Sequence, residues 1–485
     1  MERQVLAALD STPRRALDVA RALSTDKKNV NQRLYALENQ GKVRRIDGTP
    51  PLWKILDSTG DPPYLTTSRG GTTRASASSL ISSPRIPELA APGGEPHTCD
   101  GDPAALLWAQ QCADAVWSAF NSVKPDVTGK QVVAGFVLRH AGTPRVVALG
   151  SGTRFASGNR LSLEGRVVHD SHAEVVARRG LLRWLYAELK NAGTSSSVAM
   201  ISAAGDYPFA LLPTLELWLY VSLAPCGDSA IFSQVDPGSV ATVPGATWSN
   251  PKHGALRTKI EAGQGTLPVD AESVQTLDGL QRGERLRSHS CSDKIAKWAV
   301  AGLQGALLSR LVGPVYLSGV VVGDLFAHGH LCRALCCRSQ RAMESAAVVL
   351  HSPYRLRHVQ VLHAPSGSEA RHEQIQKTCR FSMNWAEHDA VAELADCVTG
   401  MKPDGSPTRI AKASLFASFC HILPKGASVS YVQNKACAVA YQEAKRAWME
   451  AMAASKFGHW ICKPCEISEF TCVSSKCLFS RLPSS

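Results

Sequence analysis

Apolar positions recur along this chain with two different periods, and the changes of period mark its organisation. Leu6 and Leu9 suggest a short first helix. Thr12 and Pro13 read as the cap and first position of a second helix that runs to Leu23. Asp26 can cap a third, from Lys27 to about Gln40, with Val30, Leu34 and Leu37 as its core stripe and Lys27, Asn31 and Tyr35 along another face. Residues 42–46 and 52–55 read as two short strands around a turn holding Pro50 and Pro51. Three helices and a hairpin predict a winged helix-turn-helix over residues 1–56. Residues 57–103 carry no period and are rich in Ser, Thr, Gly and Pro, which predicts a disordered linker. Periodicity resumes with a helix from Leu106 through Phe120 and a strand pair at 132–138 and 146–150. A helix over 171–191 follows, with Val175, Leu182, Leu185 and Leu189 on one stripe and Ala192-Gly193 as its stop. Residues 215–223 alternate as a buried strand, and 315–322 form a nearly continuous apolar run, as in a strand covered on both faces. Alternating strands and helices predict an α/β layered domain over 104–472, leaving 473–485 as a tail.

Composition narrows the class of protein. A chain of 485 residues can bury two or three cores. Its 53 Lys and Arg against 41 Asp and Glu, a net charge of +12, favour a polyanionic partner. Residues 1–55 share in this, with 11 basic and 6 acidic side chains. The 15 cysteines are an odd count without a regular framework, no apolar run reaches membrane-spanning length, and no secretory core follows Met1. The expectation is a reducing compartment, nucleus or cytoplasm, with no membrane partner and no secretion. Self-association as a homodimer is compatible with all of this.

Candidate chemistry clusters at helix starts. His172-Ala173-Glu174 places an imidazole and a carboxylate one residue apart where a helix should begin, with Asp170 or Ser171 as its cap. An ordinary capped helix would look the same. Pro225-Cys226-Gly227-Asp228 follows the 215–223 strand and reads as a turn into a helix whose dipole would favour a Cys226 thiolate. The pattern of zinc deaminases asks for a second cysteine where Asp228 stands. Cys291, in Ser290-Cys291-Ser292-Asp293-Lys294 before another helical pattern (Ile295, Trp298, Leu303, Leu307), is the best replacement. One His and two Cys leave a fourth zinc position for water, as in catalytic sites.

These motifs in this order resemble the adenosine deaminases acting on RNA. Gly283-Glu284-Arg285-Leu286 and Lys294-Ile295-Ala296-Lys297-Trp298 extend the likeness, which runs from about Ala104 to Phe470. The resemblance implies a cytidine-deaminase-like α/β layered domain. It implies zinc on His172, Cys226 and Cys291, with Glu174 as proton shuttle and adenosine flipped out of double-stranded RNA. In the loop 257–266, Gln264 is the implied filler of the vacated stack, where relatives usually carry Glu. Lys252, Arg257, Arg282 and Arg287 are candidate phosphate contacts. A second implied cofactor is inositol hexakisphosphate, enclosed by Arg178, Arg179, Lys294, Lys297, Lys412, Tyr431, Lys435, Tyr441, Lys445, Trp460 and Lys463, with Asp170 joined to Lys294 as the link to the active site. Tyr431, Lys435, Tyr441 and Lys445 share roughly one helix face in this reading. Ala306, Cys462 and Ser468 depart from the family's polar or acidic groups at the pocket rim. Cys332, Cys336 and Cys337 read as buried thiols, and Cys462, Cys465, Cys472 and Cys477 as no zinc ribbon.

The N-terminal segment resembles a Z-alpha domain, which binds left-handed Z-form RNA or DNA. The likeness implies phosphate contacts from Lys27, Lys28 and Asn31, a base and sugar against Tyr35, support for Tyr35 and a phosphate from Trp53, and backbone contacts from Pro50 and Pro51. Gln32 departs from the basic residue of many relatives. The linker is too short to hold the double-stranded RNA-binding domain that relatives usually place there. The leading expectation is therefore a Z-form-targeted RNA adenosine deaminase. A catalytically silent RNA decoy or sensor and a tRNA adenosine deaminase are the alternatives. Glu174 and the complete donor set weigh against the first, and the Z-alpha segment against the second.

Overall fold

The structure, a computed structural model, describes residues 2–9, 14–23, 25, 30, 33–34, 37, 42–46, 52–55, 102–129, 131–156, 160, 162–192, 199–202, 207–231, 253–260, 265–270, 285–365 and 378–472. The chain divides into two compact units, Met1–Pro92 and Gly93–Ser485.

In the first unit a helix spans Glu2–Leu9, a short strand β1 Arg14–Arg15, and a helix Ala16–Ala22. Strands β2 Val43–Ile46 and β3 Leu52–Ile55 complete a sheet of order β1-β3-β2. The wing thus has a third strand. Arg14 and Arg15 pair with Trp53 and Leu52, so the second helix starts at Ala16 and not at Pro13. Pairing with β3 holds Arg14 and Arg15 extended where the helix was expected to have begun. Val30, Leu34 and Leu37 are fully buried with Val5, Leu9, Val19 and Trp53, as their stripe predicts.

The second unit is built on a seven-stranded mixed sheet. Its strands are β4 Val133–His140, β5 Thr143–Ser151, β8 Glu216–Leu223, β12 Gly319–Asp324, β13 Gln360–His363, β14 Phe381–Ala386 and β15 Glu393–Asp396. They lie in the order β13-β12-β8-β4-β5-β14-β15, with β13, β12 and β8 parallel and the others antiparallel. Two smaller sheets are β6 Met200–Ser202 with β7 Phe209–Leu211, and β9 Arg257–Ile260 flanked by β10 Thr266–Pro268 and β11 Arg285–His289.

Side-chain alternation assigns the two faces of the large sheet. Phe136, Leu138, Leu217, Leu219, Val320 and Val322 join one core, which includes the Ala173–Asn191 helix. Val137, Trp218, Tyr220 and Val321 join another beneath the Pro103–Val123 helix. Period-2 alternation with both faces covered makes a three-layer α/β/α sandwich. The 315–322 run forms a strand only from Gly319; Val315 and Leu317 are buried but lie before it. Gly150 is required for the layering, because a Cβ there would fall 2.3 Å from the Ala177 nitrogen in the covering helix.

Candidate active site and metal centre

Three chain segments meet beyond the sheet. His172 is the N-cap residue of the Ala173–Asn191 helix, Cys226 follows β8, and Cys291 opens the Cys291–Ala301 helix, capped by the Ser290 hydroxyl accepting from Asp293 N at 3.2 Å. The predicted cap before His172 takes another form. Asp170 Oδ1 accepts from His172 N at 3.1 Å, the cap residue makes no side-chain cap bond, and the helix starts two residues later than its pattern suggests. Among the described residues, no long helix follows Cys226. Gly227 (φ 110°) leads into a three-residue 3-10 turn, Asp228–Ala230, so a helix dipole does not account for a thiolate there.

The donor atoms nonetheless converge. Cys291 Sγ lies 3.4 Å and Cys226 Sγ 3.7 Å from His172 Nδ1, and all three atoms fall within 4.8 Å of one another. Donors around one tetrahedral zinc stand about 3.5–3.8 Å apart, so a single ion fits. A hydrogen bond from the Cys291 thiol, followed by the opposing effect of burial and the help of Lys259 and His172, holds Cys226 well below the usual thiol range. The carboxyl of Glu174, 3% exposed in the first turn, is pushed up by burial against the pull of His172 and Lys259. Phe155 lies over the His172 ring at 4.6 Å, and the buried Thr153 hydroxyl has no hydrogen-bond partner among the described residues.

Lys259 is a functional neighbour that the sequence reading missed. Its ammonium, on β9, lies 3.0 and 3.1 Å from the Asp170 carboxylate and 3.4 Å from Cys291 Sγ. Lys294 donates to the same carboxylate, as expected. Burial works to raise Asp170, but Lys259 and Lys294 outweigh it and hold the group well below its ordinary value. Only its lysine character and strand register could have flagged Lys259, and neither is distinctive.

Behind Lys294 lies a crowd of cations. Lys297 sits 3.9 Å over Trp460, and Arg178 is 5.1 Å over Trp298, its buried Nε without a hydrogen-bond partner among the described residues. Lys412 reaches the Ile467 carbonyl and the Ser468 hydroxyl, both at 3.3 Å, and Arg179 the Ile410 carbonyl at 2.7 Å. Lys435 lies 5.2 Å over Tyr431. Burial followed by neighbouring like charges lowers Lys297 well below its ordinary value, Lys412 to about 7 and Lys463 to about 8. Burial, then Lys435, lowers Lys445 as well, while Tyr441 is buried beside Arg178. Tyr431 and Lys435 lie on one helix, Tyr431–Ala436, and Tyr441 and Lys445 on another, Val439–Ala454. The single shared face is thus corrected. A break at Cys437 and Ala438 separates the six-residue helix from the sixteen-residue one.

Other expectations divide. Arg257 is tied to Thr266, by Nε to its hydroxyl at 2.9 Å and by Nη2 to its carbonyl at 2.8 Å, so it braces a hairpin. Arg287 is exposed. Trp53 is 1% exposed in the first unit's core. Gln264, Lys252, Arg282, Cys477 and the Z-form contacts Lys27, Lys28, Asn31, Tyr35, Pro50 and Pro51 lie outside the described residues. Cys336 and Cys337 come together with His358, donor atoms within 4.8 Å, a grouping that linear spacing did not suggest. Cys112, Cys226, Cys291, Cys336, Cys379, Cys397 and Cys420 carry free thiols. Among the described residues, no helix is long and apolar enough to cross a membrane.

A layered α/β fold with a His-Cys-Cys donor set and a buried glutamate defines a zinc-dependent deaminase class. The family model of the adenosine-deaminase (editase) domain matches residues 148–464, and that of the adenosine deaminase z-alpha domain matches residues 4–59. The chain belongs to the editase-domain family, whose members are zinc-dependent, and carries a z-alpha domain. It is similar to the double-stranded RNA-specific adenosine deaminase of Mus musculus, 36% identical over 388 residues, covering 76% of this chain and 32% of the relative. It is similar to the double-stranded RNA-specific editase Adar of Drosophila melanogaster, 33% identical over 439 residues, covering 86% and 63%. The double-stranded RNA-specific editase B2 of Mus musculus is 36% identical over 348 residues, covering 67% and 44%. The chain thus spans a third to under two thirds of the length of these relatives.

Proposed function

We propose that this chain converts adenosine to inosine in double-stranded RNA by hydrolysis, with the z-alpha unit directing it to Z-form RNA or DNA. The observation that carries the reading is the meeting of the His172, Cys226 and Cys291 donor atoms beside the buried Glu174 carboxylate. His172, Cys226 and Cys291 would hold zinc, which when bound supplies the Lewis acidity that makes water nucleophilic at neutral pH. Glu174 accepts the proton of the attacking water and delivers a proton to the departing nitrogen. Water and adenosine thereby give inosine and ammonia. Burial, which raises the Glu174 carboxyl, suits a group that must both take and return a proton near neutrality.

The target base must leave its stack before Glu174 can act on it, and Gln264 is the residue proposed to take its place. The pocket of Arg178, Arg179, Lys294, Lys297, Lys412, Lys435, Lys445 and Lys463 would hold inositol hexakisphosphate. Buried lysines lowered by one another are the environment that a polyanion neutralises. Lys294 connects that pocket to Asp170, and Asp170 connects through Lys259 to Cys291. An odd count of 15 cysteines without a regular disulfide framework suits a reducing compartment, nucleus or cytoplasm.

The test is inosine formation on a long duplex RNA, with zinc content measured on the same preparations. Wild type should produce inosine, and Glu174→Ala should retain zinc yet lose about 10²- to 10⁴-fold in rate. Equal signals from both would leave an RNA-binding decoy in its place.

A further inference from the structure

We propose that Arg333 and Arg338 are positioning residues that set the separation of the Cys226 and Cys291 sulfurs. The inference rests on the reading of those thiols as metal ligands. Each cysteine is followed two residues later by a fully buried aspartate, Asp228 or Asp293. Arg333 grips the first, with Nε 2.8 Å from Oδ2, Nη2 3.3 Å from Oδ1 and Nη2 2.8 Å from the Asp228 carbonyl. Arg338 grips the second, with Nη2 2.7 Å from Asp293 Oδ1. Both arginines are themselves buried, 2% and 0% exposed.

The two arginines are delivered by one short π-helical turn, Arg333–Cys337, followed by the Arg338–Ser345 helix. In a regular α-helix, residues five apart project about 140° from each other. The wider i→i+5 turn narrows that angle. One turn of chain thus holds both cysteine-bearing segments through Asp228 and Asp293. The two segments are also fastened directly to one another. Ser292 N donates to the Cys226 carbonyl, and Asp228 N to the Ser292 hydroxyl, both at 3.1 Å. Gly227 makes this approach feasible, since a Cβ there would lie 2.3 Å from the Ser290 hydroxyl.

A charge alone would not fix this geometry. The guanidinium fork holds the Asp228 carboxylate through two donors and its main-chain carbonyl through a third contact, which sets the orientation of the loop. Lysine retains the charge and loses the fork. Arg333→Lys and Arg338→Lys are therefore the discriminating variants.

The experiment uses the full chain and reads zinc release to a colorimetric chelator, together with the thiolate-to-metal absorption bands of the cobalt-substituted protein. Each Lys variant should release zinc about 10- to 100-fold faster than wild type and shift the cobalt bands. Asp228→Asn, attacking the same contact from its acid side, should do likewise, and it remains informative if Arg338→Lys does not fold. A lowered melting temperature with unchanged zinc release and unchanged cobalt bands would reduce the arginines to general scaffolding and overturn the proposal. A wild-type chain without stoichiometric zinc would instead overturn the metal reading beneath it.

Discussion

The ammonium of Lys259 stands 3.0 Å from Asp170 Oδ2, a salt bridge in which the lysine side chain is 1% and the aspartate 8% exposed. Burial alone would drive Lys259 toward its neutral form. Asp170, helped by Cys291 and Cys226, reverses that and holds the ammonium charged. The pair joins the segment before His172 to the strand facing Cys291, so its charge balance bears on both ends of the donor set.

Lys259→Met keeps most of the volume and removes the charge. Asp170 retains Lys294, so the cost should fall at the low end for breaking a buried pair, about 3 kcal/mol. Urea denaturation of the purified chain measures it. A loss below about 1 kcal/mol would show that Lys294 alone satisfies the carboxylate.

The cationic pocket predicts a particular pH response. Burial and then Lys463 and Arg179 lower Lys412 from 10.5 to about 7, while burial and then Lys294 lower Lys463 from 10.5 to about 8. For a lysine whose folded pKa is depressed, the unfolded chain binds more protons between the folded and unfolded values. Stability therefore rises with pH through that window. Polyanion-free protein should melt at a higher temperature at about pH 9 than at about pH 6.5, and added inositol hexakisphosphate should abolish that rise while raising the melting temperature most at the lower pH. Melting curves at both pH values, with and without the polyanion, decide it. A polyanion-free chain with no rise would remove the basis for the pocket.

Trp53 is a core residue of the z-alpha unit, packed in one cluster with Val5, Leu9, Val19 and Leu34. Trp53→Ala should cost about 3–5 kcal/mol, enough to unfold a unit of this size, and Z-form binding should vanish with it. Circular dichroism and Z-form RNA binding of the full chain, compared with Trp53→Phe, separate a lost core from a lost contact. Retained folding in the Ala variant would count against the packing argument.

Gln264 carries an amide donor at every pH, whereas a glutamate donates only when protonated. Gln264→Glu should edit more slowly than wild type, and the gap should widen as pH rises. Single-turnover inosine formation across pH is the measurement. An equal or faster Glu variant at alkaline pH would defeat the flipping role argued for the amide.

Much of the fold was legible because its signals are local. Val30, Leu34 and Leu37 are buried as their stripe requires, and the 132–138 and 146–150 pair is found as β4 and β5, with ends displaced by one to three residues. Boundaries failed where long-range pairing decided them. Arg14 and Arg15 became a strand because β3 was available to them, and 315–318 stayed outside β12 although its apolar pattern continued. The helix expected after Cys226 is a single tight turn, where Gly227 takes a positive φ and the Ser292 hydroxyl accepts from Asp228 N.

The sequence by itself determined the chemistry available: an imidazole, two thiols and a carboxylate in recognisable motifs, a basic balance, and the periods that assign helices and strands. Residue identity and near-neighbour spacing are sufficient for that, since both are written along the chain. Only the tertiary structure decided which partners those groups acquire. Lys259 meets Asp170 across 89 positions, Arg333 meets Asp228 across 105, and Cys336 and Cys337 meet His358. Such contacts arise because buried charges and polar atoms must be satisfied wherever the packed layers bring them, and linear spacing carries no record of that geometry.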